Sequence, residues 1–127
     1  MKKYISLSLA LIFSLCFLMF GVNADSPNII DNADLLSEDE EIALAKEIDP
    51  VKSRYDFEIV ILTESSIYGE DPEAYADDYF DYNGYGENGV LFLVDMGERN
   101  WHISTSGTAT DVIGENELDY FEYEIIP

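Results

Sequence analysis

The chain has 127 residues, with 27 acidic and 6 basic side chains, one histidine and a net charge of −21 at pH 7. That charge excludes nucleic acid and anionic lipid surfaces as partners, because both are held through Lys and Arg; soluble cations are the natural counterpart. Apolar and aromatic residues, 47% and 13% of the chain, are too frequent for a solvating tail, so the composition describes one small domain.

The first residues set the compartment. Lys2 and Lys3 precede an apolar run from Ile5 to Phe20 that closes on Gly21-Val22-Asn23-Ala24. This is the layout of a secretory signal peptide over residues 1–24, and it predicts a protein that is secreted or held on the extracytoplasmic cell surface. Cys16, the single cysteine, leaves with that segment, so the domain over 25–127 folds without disulfides. Losing Lys2 and Lys3 also leaves four cations against 27 acids, a net charge of −23. A membrane is then reached only through an uncleaved signal or an anchor following the domain. A cell-envelope protein is the expected macromolecular partner.

Asp25 to Asn32 reads as an extended entry segment. The first helix opens with a capping box, Ser37 paired with Glu40, and places Ile42, Ala45 and Ile48 on one side. Pro50 lacks an amide proton and clashes with the preceding turn, which predicts an end or kink near Ile48. Phe57 to Thr63 is β-branched and almost continuously apolar, as in a strand covered on both faces.

Asp71 as cap and Pro72 at the first position then open a second helix. Its Tyr75, Tyr79 and Tyr82, with Ala76 and Phe80, form a stripe expected in the core. Asn83 to Gly89 is a glycine-rich loop leading to a buried strand, Val90 to Val94. A tight turn at Asp95 to Arg99 returns the chain as a strand from Asn100 to Thr105. After a small-residue loop, Leu118, Phe121 and Ile125 mark a last helix. The order predicts an α/β fold, a three-layer α/β/α sandwich with a small mixed sheet whose first crossover is right-handed. The chain reads as ending short, with nothing following Pro127 to cover the hairpin side.

Most chemistries find no residues here. No mature cysteine and no Gly-x-Ser-x-Gly elbow is present, and a lone His102 suits neither a serine triad nor a zinc site. Asn83-Gly84-Tyr85-Gly86 enters a strand instead of opening a helix, so it is no phosphate loop. Nor is it an EF-hand, because Tyr85 and Phe92 stand where oxygen ligands belong. What remains is an oxygen-rich cation site assembled from loops, and the topology offers two edges for one. At the carboxyl ends of the parallel strands lie Glu64, Ser65, Ser66 and Asp95, with Asp31 and Asp34 nearby; ligands of open α/β sheets usually bind there. At the opposite edge Glu87 and Asn88 adjoin the exit toward Asp111 and Glu115. Gly86 and Gly107 would let carbonyls approach an ion.

Six segments in order resemble the TPM domain, a family named for a thylakoid lumen protein, a photosystem II repair protein and a nematode acetylcholine-receptor modulator. They are Ile30 to Ser37, Tyr75 to Phe80, Asp81 to Gly86, Gly89 to Val94, Ile103 to Gly107 and Ile125 to Pro127. Asp81-Tyr82-Asn83-Gly84-Tyr85-Gly86 is most similar to the form in Gram-positive bacteria. The resemblance implies an α/β/α sandwich outside the cytoplasm, calcium as the bound cation and, from plant members, a weak acid phosphatase activity. It also implies that relatives continue beyond Ile-Ile-Pro, often into a transmembrane helix and a glycine-rich tail. The family's acidic position ahead of the last helix falls on Glu115. The resulting expectation is a calcium-binding interaction module without a catalytic residue, with Asp31, Asp34, Glu64, Asn88, Asp95, Asp111 and Glu115 as candidate ligands. The alternatives are a metal-assisted phosphatase using Arg99 as its phosphate-binding cation, and a structural fragment without activity of its own.

Overall fold

The computed structural model describes residues 27–124; the signal-peptide segment, Ile125 and the Ile-Ile-Pro end lie outside them. The elements in chain order are β1 (Ile29–Asp31), α1 (Glu38–Tyr55), β2 (Glu58–Glu64), α2 (Pro72–Tyr82), β3 (Gly89–Asp95), β4 (Asn100–Ser106), α3 (Ala109–Val112) and α4 (Glu115–Glu124). The strands form one mixed sheet in the order β1-β2-β3-β4, parallel from β1 to β3 and antiparallel from β3 to β4.

The entry segment is therefore more than extended chain. Ile29, Ile30 and Asp31 pair in parallel with Ile61, Leu62 and Thr63, making an edge strand too short to show a period of two in the sequence.

Register explains how the layers fill. Paired residues share a face, and Ile30, Val60, Leu62, Leu91 and Leu93 all point toward α2. There they enclose Ala76 and Phe80, with Tyr75 and Tyr79 packed against the cluster. Gly89 lies under Phe80, because a Cβ at that position would overlap its ring. Tyr82 falls outside the expected stripe and is 82% exposed, since the last turn of α2 carries it past the sheet. Tyr85 occupies the core in its place: its ring stacks on Phe80 at 5.4 Å, and its hydroxyl donates to the Pro27 carbonyl at 2.6 Å.

The opposite face carries Ile29, Ile59, Ile61, Phe92 and Ile103. Beneath α1, Ile42, Ala45 and Ile48 border the same hollow as Ile29. Phe121 of α4 meets Phe92 edge-on at 5.6 Å and lies 6.4 Å from Trp101. This face is half-buried where the α2 face is sealed, with an apolar hollow of about 400 Å³ lined by Ile59, Ile61, Val90, Phe92, Ile103 and α4. Helices on both faces give the three-layer α/β/α arrangement.

Helix α1 does not end at Pro50. It starts on the expected capping box and runs through the proline to Tyr55, closing at Asp56, which is in the left-handed region and whose backbone N–H donates a hydrogen bond to the Lys52 carbonyl. The half after Pro50 is tied to the sheet: Lys52 pairs with Glu58 at 2.6 Å and donates to Asn28 at 2.9 Å. Tyr55 stacks on buried Phe57 at 5.8 Å. Tertiary contacts thus outweigh the one amide bond that proline removes.

Candidate functional site

The carboxyl edge of the parallel strands gathers Asp31, Glu64 and Asp95 at the ends of β1, β2 and β3. Asp31 is spent on the loop that enters α1. One of its oxygens accepts the Thr63 hydroxyl and the other accepts the Leu36 amide at 2.7 Å. Burial raises its pKa, but the bonds from Thr63, Leu36 and Leu35 outweigh that effect and hold the carboxyl below its ordinary value. Asp34, three residues along the turn, is exposed and left-handed at φ 55°.

Glu64 and Asp95 are direct register partners, so their side chains leave the same face of neighbouring strands about 5 Å apart at the backbone. Asn32 Nδ2 donates to Glu64 at 2.9 Å and the Tyr75 hydroxyl at 3.2 Å; both bonds fall on Oε1. Burial, the Glu64 charge and this bond push Tyr75 up to about 12, so it remains a neutral donor at physiological pH. Asp95 is completely buried. Its Oδ1 accepts the Gly97 amide at 3.0 Å and fixes the hairpin turn, while Oδ2 is buried with no hydrogen-bond partner. The loop after β2 covers this corner: Ile67 is buried, and a Cβ on Gly97 would stand 2.9 Å from Ser66 Oγ.

The second expected edge is built differently. Asn88 Oδ1 accepts the Thr108 amide at 3.0 Å, and the Asn88 carbonyl accepts the Glu58 amide at 2.9 Å. Asn88 is thus a strap between the loop preceding β3 and the exit from β4. Asp111 and Glu115 are exposed on α3 and at the start of α4. Among the described residues no group of three or more His, Cys, Asp and Glu is arranged to hold an ion. The structure brings Glu64 and Asp95 together, keeps Asp31 close but engaged, and disperses the others.

Sequence reasoning missed the difference between these acids. Asp95 looked like a turn residue, whereas it is the last residue of β3 and points into the protein. The strict alternation of Gly89, Leu91, Leu93 and Asp95 carries that information once the strand is extended by one residue at each end. On the other face of the sheet, a hollow of about 350 Å³ lined by Phe92, Val94, Met96 and Trp101 holds Arg99 and Asn100.

Known proteins share this fold. The chain is similar in fold to the solution structure of the N-terminal domain of a protein from P. gingivalis. Identity is 21% and the TM-score 0.70, over 80% of this chain and 68% of that one. It is similar too to the N-terminal domain of the cg2496 protein from Corynebacterium glutamicum. There the identity is 25% and the TM-score 0.61, over 73% of this chain and 62% of that one. No curated protein matches. The sequence profile of the TPM domain matches residues 29–127, from the first strand to the end. The chain belongs to the TPM domain family.

Proposed function

We propose that this TPM domain is an exported, calcium-binding interaction module whose ion is held at the carboxyl edge by Glu64 and Asp95. The supporting observation is Asp95 Oδ2, a carboxylate oxygen buried without a partner beside a second carboxylate. An orphaned buried anion costs several kcal/mol unless a proton or a cation compensates it. Calcium accepts oxygen ligands at irregular angles, including hydroxyls, backbone carbonyls and water. Glu64 Oε2 and Asp95 Oδ2 are donors of that type at one strand end, and the Ser65 and Ser66 hydroxyls on the following loop already bond the Asn32 carbonyl and the Tyr68 amide. Asp31, Asp34, Asn88, Asp111 and Glu115 have no ligand role in this reading. Export follows from the expected signal peptide and from a surface charge suited to an environment rich in divalent cations.

Calorimetric titration with CaCl2 tests the proposal. Wild-type protein should bind, Glu64→Gln and Asp95→Asn should each weaken binding at least tenfold, and Asp111→Asn and Glu115→Gln should leave it unchanged. Equal binding by all five proteins would refute this site. A second reading, a metal-assisted phosphatase, is favoured by Arg99, which lines a hollow with Met96, Asn100 and Trp101 at the same end of the sheet, where a guanidinium would hold a phosphoryl group. Turnover of para-nitrophenyl phosphate that requires calcium and vanishes in Arg99→Ala is the result that would support it.

A further inference from the structure

We infer that the outer edge of β4 is a docking strand for an extended, basic segment of a partner protein, which joins the sheet as a fifth strand. Among the described residues β4 is the last strand of the sheet, and it pairs with β3 along its inner side, from Asn100 to Ser106. Seven residues is long for an open edge, and proteins normally blunt such edges with Lys, Pro, inward charges or bulges. β4 has none of these. Residues 99–110 form the longest stretch without Asp or Glu among the described residues, in a chain where acids otherwise recur every few positions.

The acids stand beside the edge instead. On one face α2 lies along β4, joined by the bond from the Ser104 hydroxyl to Asp77. Glu73, Asp77 and Asp81 make a stripe at intervals of four along that helix. On the other face α4 packs Phe121 against Trp101 and carries five acids and no base over Glu115–Glu124. An added strand would form backbone bonds with β4 and send its side chains alternately toward α2 and α4. It meets negative charge in both directions, so lysines or arginines on both faces complement the site. A second copy of this chain is a poor occupant, because it would bring another −21 to the same place.

The edge does not depend on the cation site, and the test is run in EDTA to keep the two apart. The probe is the nine-residue peptide Thr-Lys-Lys-Val-Thr-Lys-Lys-Val-Thr, which as a strand presents lysines on both faces, followed by calorimetry at 20 mM salt and by amide hydrogen exchange. Two control peptides carry Glu for Lys, or N-methyl groups on alternate backbone nitrogens. The expected result is binding of the Lys peptide with slowed exchange of β4 amides, weakened about tenfold or more by N-methylation and abolished by Glu. Asp77→Asn with Asp81→Asn should weaken it about tenfold while leaving the unliganded fold intact by circular dichroism. Four results would overturn the proposal: no binding, equal binding of the N-methylated peptide, protection confined to the apolar face under α4, or a protein dimer closed through β4.

Discussion

Gly107 follows β4 with φ +56°, and a Cβ there would overlap Asn88 Oδ1 and stand 2.6 Å from the Glu87 carbonyl oxygen. Replacement by alanine therefore meets both left-handed strain and a backbone neighbour, and it should cost about 3 kcal/mol in urea unfolding. Gly69 has φ +78° but open space around it, so Gly69→Ala should cost only about 1 kcal/mol. Equal losses would show that the Asn88 strap yields to the new methyl. The sequence marked Gly107 as a point of close approach to an ion, whereas the approaching group is the asparagine side chain. Asp31 shows the same limit of sequence reading. Its place at a strand end was legible, but its engagement depends on Thr63, a partner across the sheet. Because the folded pKa of Asp31 lies below its ordinary value of 3.8, its bonds stabilise the fold above that pH. Their contribution is lost as pH falls through the lower, folded value. Asp31→Asn should therefore be less stable than wild type at pH 6, with the gap closing below pH 4, as thermal melts across that range would show.

At the scale of elements, Pro50 sets sequence and structure most directly against each other. A proline inside a helix costs about 3 kcal/mol relative to alanine, and that local rule predicted an end or kink near Ile48. The helix continues to Tyr55 because the deciding contacts, Lys52 with Glu58 and Tyr55 with Phe57, involve residues beyond the proline. Pro50 is exposed, so Pro50→Ala removes no packing. It should stabilise the domain by about 2 kcal/mol, after allowing for the freer unfolded chain; a lower melting temperature would mean that the proline shapes the path of α1. The other helices were more legible. α2 begins where Asp71-Pro72 placed it, with the cap accepting the Ala74 amide at 3.0 Å, because capping is a local property. β1 was missed for the converse reason: three residues have no pattern of their own and become a strand only against β2. Helix α4 rests mainly on Phe121, which is half-buried against Phe92 and Trp101. Phe121→Ala should loosen α4, red-shift the fluorescence of the single tryptophan and raise amide exchange in α4 while β2 and β3 remain protected.

For the molecule as a whole, the charge was legible from composition and its distribution was not. A chain with a net charge of −21 repels itself, and that repulsion extends about 30 Å at 10 mM salt but only about 8 Å at 150 mM. Adding NaCl between those limits should raise the melting temperature of wild type and of every carboxylate variant alike, since screening does not distinguish one acid from another. Calcium separates the two effects. At equal ionic strength CaCl2 should stabilise wild type beyond NaCl, by about 2.7 kcal/mol when the free ion reaches a hundred times its dissociation constant. In Asp95→Asn the excess should disappear while the response to NaCl persists. The variant itself should be no less stable than wild type in EDTA, because an amide at that position removes an uncompensated buried charge. An Asp95→Asn protein that is strongly destabilised in EDTA would show that the carboxylate supports the fold without an ion. A calcium excess that survives in that protein would move the ion to the other carboxylates of the surface.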